Sequence, residues 1–209
     1  MFSNSLINKR INLDANDGLS AYEGHAAQQH HDAFGVMYGF FNKVKPKNIL
    51  EIGTALGGFT RVMYNFSKHF TPKSTMLSYD IYYNPWYDDM VRDGMDIRVE
   101  NVFDKDFISV KQEVIDYIQR VGVTIVFCDG GWKKGELNLL SNFIKPGDFI
   151  LAHDYCDNKQ VFEEKIKGKV WNWFEISFND IKESCERNGL IEYDKEIFNN
   201  VAWTCRQKL

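Results

Sequence analysis

Five apolar runs recur along the chain: NILEIG (48–53), TMLSYDI (75–81), the more polar DIRVEN (96–101), VTIVFCD (123–129) and FILAHD (149–154). Runs this short, bounded by turn residues, read as strands buried on both faces. Helical spacing fills the intervals: GGFTRVMYNFSKHF, PWYDDMVRDG closed by Gly94, FISVKQEVIDYIQR with Ile108, Val114, Ile115 and Ile118 inward, and KGELNLLSNFI, which ends at Pro146-Gly147. An earlier helix is predicted from Ala26 to Val44, with Ala27, Phe34, Met37, Phe41 and Val44 on one face and Pro46 as its stop. A last helix, FNDIKESCERNG, takes Asn179 or Asp180 as its cap and Gly189 as its end. Two closing strands, LIEYD and NNVAWTCRQ, are separated only by KEIF, a connection too short for a parallel crossover, so they pair antiparallel. Residues 1 to about 24 read as an irregular arm.

Alternating strands and helices predict an α/β fold: a Rossmann-like, doubly wound, mostly parallel seven-stranded sheet with an antiparallel C-terminal hairpin strand. The expected organisation is one domain over 1–209, with an arm and helix over 1–45 and the core over 46–209. Ligands of such sheets sit beyond the carboxyl ends of the strands. Here those ends carry Gly53, Asp80, Asn101, Asp129, and His153 with Asp154.

Composition narrows the class. The chain is 44% hydrophobic and 15% aromatic, so it folds as a globule with aromatic surface to spare for a core or a pocket. A net charge of −4 without any Lys/Arg-rich run argues against nucleic acid as a partner. No stretch is apolar enough for a signal peptide or a membrane span, and Cys128, Cys156, Cys185 and Cys205 are scattered, which suits a reducing cytoplasm.

The first strand turns into its helix through EIGTALGG, where Glu51, Gly53, Thr54, Gly57 and Gly58 let the backbone approach a ligand at a helix N-terminus. This is not G-x-G-x-x-G, which weakens a nicotinamide-dependent oxidoreductase as the rival reading. Asp80 is placed to accept the ribose hydroxyls of an adenosine cofactor, with Ile81 and Tyr82 along the base and Asn101 and Asp104 toward its amino group. Tyr83, Trp86 and Tyr87 read as helix packing. His153 and Asp154 end a strand beside the one ending in Asp129, so the three side chains can converge on one acceptor hydroxyl or one ion. Their oxygen and nitrogen donors suit Mg²⁺ or another divalent cation; without one, His153 is the general base. Trp171, Trp173, Phe174 and Glu175 follow as an overhanging segment in which packing is the commoner role for the aromatics. HAAQQHHD, with His25, Gln29, His30 and His31, reads as a solvated helix face.

Together, ILEIGTALGGFT, the acid ending the next strand, and IVFCDGGWKKGELNLLSNFIKPGDFILAHD resemble class I S-adenosylmethionine-dependent methyltransferases over about Pro46 to Asp154. The similar branch carries D-G-x-H, K-P-G-G and H-D motifs and includes sugar and small-molecule O-methyltransferases and cephalosporin-hydroxylase-like proteins; catechol O-methyltransferase is more distantly similar. The resemblance implies that Glu51, Gly53 and Gly57 cradle the methionine part, that Asp80 holds the ribose, and that Asp129 meets the cofactor and a metal or substrate. It departs at D-G-x-H, which reads Asp129-Gly130-Gly131-Trp132 here. The implied activity is O-methylation of a small molecule or sugar; a non-catalytic S-adenosylmethionine-binding module is the alternative.

Overall fold

A computed structural model describes residues 10–12 and 20–209. Its elements in chain order are β1 (Arg10–Asn12), β2 (Ser20–Tyr22), β3 (His25–Ala26), α1 (Ala33–Val44), β4 (Asn48–Ile52), α2 (Gly58–Phe70), β5 (Thr75–Asp80), α3 (Trp86–Arg92), β6 (Asp96–Val99), α4 (Gln112–Ile118), β7 (Thr124–Cys128), α5 (Lys133–Leu140), β8 (Phe149–Ala152), α6 (Phe178–Asn188), β9 (Leu190–Glu192), α7 (Lys195–Asn199) and β10 (Thr204–Lys208). A short helical segment, Lys159–Val161, runs on as a π-helical turn, Phe162–Ile166, between β8 and α6.

The main sheet has seven strands in the order β6-β5-β4-β7-β8-β10-β9. Strands β4 to β8 pair parallel, and β10 runs antiparallel to both neighbours, as the closing hairpin requires. Because successive side chains leave opposite faces, the apolar runs feed two cores. Ile49, Ile125 and Leu151 meet α1, α2 and α7 through residues such as Phe41, Phe66 and Phe198. Leu50, Val126 and Ile150 meet α4, α5 and α6 through Ile118, Leu137 and Ile181. The chain reverses its winding between β4 and β7, and their carboxyl ends diverge there into a crevice.

Several boundaries differ from the sequence reading. The part of the arm that is described is not irregular: β1, β2 and β3 form a small antiparallel sheet, with Ala21 and Tyr22 buried and Tyr22 edge-on to Phe34. Residues 1–9 and 13–19 lie outside the described residues. Helix α1 starts at Ala33, not Ala26, because His25 and Ala26 pair with β2. Helix α4 starts at Gln112, leaving Ile108 76% exposed. Helix α6 is capped by Ser177, whose side chain and that of Asp180 close a reciprocal capping box. KEIF belongs to α7, and β10 begins only at Thr204, since Ala202 takes a left-handed backbone (φ 59°) that turns Trp203 into the core. No helix among the described residues is long and apolar enough to cross a membrane. All four cysteines are buried with free thiols.

Candidate functional site

Two adjoining cavities occupy the crevice. The larger, about 730 Å³, is rimmed by the carboxyl ends of β4, β5, β6 and β7. The smaller, about 280 Å³, lies over the ends of β4, β7 and β8. Gln28, Gly53, Ala55, Leu56 and Asp129 line both. Gln28, Ala55 and Asp154 hold left-handed backbone with φ of 52°, 49° and 56°, the kind of local strain that gathers at functional sites.

Gly53 makes the crevice possible. Its φ is +98°, and a Cβ there would fall 2.2 Å from the Asp129 carbonyl oxygen. Asp80 sits on the far side of the turn, accepting from the N–H of Ala55 at 2.7 Å through one oxygen and from that of Tyr82 at 2.9 Å through the other. Each carboxylate oxygen keeps a second lone pair for a ligand. Ile81, Tyr82 and Tyr83 form one wall of the larger cavity, and Phe103, Phe107 and Trp132 another. Phe107 stacks on Phe103 at 4.7 Å and meets Trp132 edge-on at 4.5 Å. Trp132 is therefore a wall of the larger cavity. Tyr87 is packed as expected, but Tyr83 and Trp86 remain more than half exposed.

Asn101 lines this cavity while accepting from the Phe103 N–H at 3.0 Å. Glu136, which the sequence reading passed over, closes the floor and accepts from the N–H groups of Gly130 and Trp132 at 3.1 Å each. Burial pushes its carboxyl up to about 7, against the pull of those two bonds.

Four expected cofactor contacts do not line either cavity. Glu51 is 1% exposed beneath the turn and accepts from Thr60 and Ser78 at 2.8 and 2.5 Å; burial pushes its carboxyl up to about 8. Gly57, N-terminal to α2, packs on Met90. Gly58 is a packing glycine, since a Cβ there would meet the His25 carbonyl oxygen at 2.3 Å. Asp104 spends both oxygens on its own loop, at Ile108 and Ser109. Gly53, Thr54, Asp80, Ile81, Asn101 and Asp129 do line the cavities, Thr54 the smaller one only.

In the smaller cavity Asp129, His153 and Asp154 come together, with candidate ligand atoms within 4.8 Å of one another. The His153 Nδ1 lies 3.1 Å from Asp129 Oδ1 and 3.6 Å from Asp154 Oδ1, which assigns its proton to Nδ1. The other ring nitrogen, Nε2, is buried with no hydrogen-bond partner. The ring is clasped between Trp203, stacked at 4.8 Å, and Trp171 at 4.9 Å. Burial alone would raise the Asp154 carboxyl, but His153 and Lys133 beside it, with bonds from Lys133 and Trp171, hold it below its ordinary value.

Three further residues join this group: Gln29, read from the sequence as part of a solvated face, and Trp203 and Lys133, to which the sequence reading gives no role. Gln29 is buried, not on a solvated helix face: its amide donates to Asp129 Oδ2 at 2.8 Å and accepts from the Trp203 indole at 2.8 Å. Trp203 lay inside a run that read simply as strand. Lys133, four residues after Asp129, is 6% exposed, and its ammonium reaches Asp154 Oδ2 at 2.9 Å, the Gly130 carbonyl at 3.0 Å and Glu175 at 3.1 Å. Its spacing from Asp129 was the available signal. Burial alone would lower that ammonium's pKa; Asp129, Asp154 and Glu175 raise it instead. Of the overhanging segment, Trp171 and Trp173 line the cavity, whereas Phe174 stacks on Phe162 at 5.1 Å.

The ligand atoms are close enough for one ion, but with the Lys133 ammonium already among them the group does not fit a divalent cation. Every carboxylate oxygen of Asp129 and Asp154 is already met by a protein nitrogen: His153 Nδ1 and the Gln29 amide for Asp129, the Trp171 indole and the Lys133 ammonium for Asp154. An ion placed there would also face Lys133, repelled by about 4 kcal/mol per unit charge at 4 Å and an effective dielectric near 20.

No known family matches the chain, and no curated protein does. Solved structures do. An apo structure of CmcI superposes with a TM-score of 0.62 at 10% identity, covering 90% of this chain and 76% of that one. A Mg-SAM structure of CmcI gives 0.59 at 12% identity over the same shares. Human N-acetylserotonin methyltransferase in complex with SAM gives 0.51 at 11% identity, covering 85% of this chain, which spans about half (52%) of that protein's length. At these identities the likeness shows the architecture: a Rossmann-like methyltransferase fold, seven-stranded with an antiparallel C-terminal hairpin.

Proposed function

We propose that this chain is an S-adenosylmethionine-dependent methyltransferase that methylates a hydroxyl of a small molecule, a sugar or another alcohol. The observation carrying this reading is the pair of cavities that meet at Asp129, one offering a carboxylate and apolar walls and one lined by His153, whose Nε2 is buried without a partner. The reading treats the chain as one methyltransferase-like unit working in the cytoplasm.

The larger cavity offers what an adenosine needs: a carboxylate, Asp80, for vicinal hydroxyls and apolar walls for a base. Asp80 would hold the ribose, Ile81 and Tyr82 the base, Asn101 its edge, and the backbone from Gly53 to Leu56 the amino-acid end. When bound, S-adenosylmethionine supplies an electrophilic methyl group. The chain's own residues prepare the acceptor. His153 takes the hydroxyl proton on Nε2, because Nδ1 is committed to Asp129. The imidazolium that results lies beside two carboxylates, Asp129 at 3.1 Å and Asp154 at 3.6 Å, which favour it. Trp171 and Trp203 fix the ring plane and keep water from it.

Calorimetry tests the binding half. S-adenosylhomocysteine should bind with micromolar-order affinity and NAD should not; the reverse result sinks the proposal. Transfer of labelled methyl to a panel of alcohols tests the chemistry and separates an enzyme from a mere binding module. His153→Ala should keep cofactor affinity within a few-fold and lose about 10²-fold in turnover, the usual worth of a positioned base.

A further inference from the structure

The smaller cavity holds a cation that belongs to the chain. The Lys133 side chain rises from the first turn of α5 into the centre of an acidic group, within 2.9 Å of Asp154, 3.1 Å of Glu175 and 3.8 Å of Asp129. Its third close contact is the Gly130 carbonyl at 3.0 Å. An ammonium surrounded by three carboxylates and a carbonyl has the surroundings usually given to a hard metal ion. Glu175 is the most exposed of these neighbours, so its bond is the one an acceptor oxygen can most readily replace.

We infer that Lys133 takes the place of a divalent cation in this site, so that the Asp129–His153–Asp154 group works without a metal. In catalysis the inference rests on the methyltransferase reading; the charge arrangement does not. Removing the ammonium leaves Asp129, Asp154 and Glu175 without their shared counter-charge. That deletion should turn a site that rejects divalent ions into one that binds them.

Mn²⁺ is the probe, titrated by electron paramagnetic resonance into the full chain without cofactor or acceptor. Only the binding lost on Asp154→Asn is counted, because His30, His31 and Asp32 form a second cluster of possible ligands. Wild-type protein should show no such binding tighter than about 1 mM, and Lys133→Ala should bind at least about tenfold tighter. Submillimolar Asp154-dependent binding in the wild type, or no gain in Lys133→Ala, overturns the inference. Should Lys133→Ala fail to fold, Lys133→Met keeps the aliphatic stem without the charge and is read the same way. Where methyl transfer is measurable, a chelator should leave it unchanged; loss restored by Mg²⁺ contradicts the inference. Because the titration needs no turnover, its failure and that of the methyltransferase reading are distinguishable.

Discussion

Glu51 is buried beneath the crevice rather than in its lining. It lies under the turn from β4 to α2, where Thr60 and Ser78 donate to it and Thr54 bonds Ser78 in turn at 2.6 Å. Burial raises its carboxyl from an ordinary 4.5 to about 8. A folded-state value above the unfolded one stabilises the fold fully only below pH 4.5, and that stability is lost as pH rises through about 8. Glu51→Gln keeps an oxygen for the two hydroxyls and removes the titration. Relative to wild type it should gain roughly 2–3 kcal/mol between pH 6 and pH 9, read from urea midpoints at the two values. An equal difference at both would mean that Glu51 is not buried neutral. Glu136, under the larger cavity, is raised to about 7 and acts in the same direction.

At the scale of elements, the same chemical change should have opposite signs in two helices. Gly39 lies inside α1, exposed, and a Cβ there meets nothing within 4 Å. Gly39→Ala should stabilise by about 0.5–1 kcal/mol through helix propensity. Gly58 opens α2 against the backbone of His25 and Ala26, with a Cβ only 2.3 Å from the nearest atom. Gly58→Ala should destabilise by about 1–3 kcal/mol as β3 is pushed away. Chemical denaturation with unchanged slope would check both; a neutral Gly58→Ala would show that β3 is not clamped there. The contrast also shows what the sequence revealed. The strands β4, β5, β7 and β8 were legible because strands buried on both faces must be nearly continuous in apolar residues. The small β1–β3 sheet was not, because its strands are two or three residues long and carry no period.

For the molecule as a whole, binding and folding are linked. If S-adenosylhomocysteine occupies only the native state, about 100 times its dissociation constant should add roughly 2.7 kcal/mol, a rise of about 5–10 °C in melting temperature for a chain this size. NAD at equal concentration should move it little, and equal shifts would point to a non-selective nucleotide cavity. The cavity-lining residues at strand ends, Asp80, Asn101, Asp129, His153 and Asp154, were readable because topology alone fixes where strands end. Gln29 and Trp203 were hidden for a physical reason: neither has a chemical signature alone, and their bond joins residues 174 positions apart. Glu51 and Gly58 sit in the turn beside the cavities, yet their side of it faces the core and the arm.

The bridge from Asp129 through Gln29 to Trp203 also ties distant parts of the chain together. The walls of the larger cavity, apart from Gln28, come from residues 52–136, the middle of the chain. The imidazole of His153, in contrast, is clasped by Trp171 and by Trp203, the second of which leads into β10 between β8 and β9. The surroundings of Asp129 and His153 are assembled only when a segment from near the start of the chain and one from near its end have found each other.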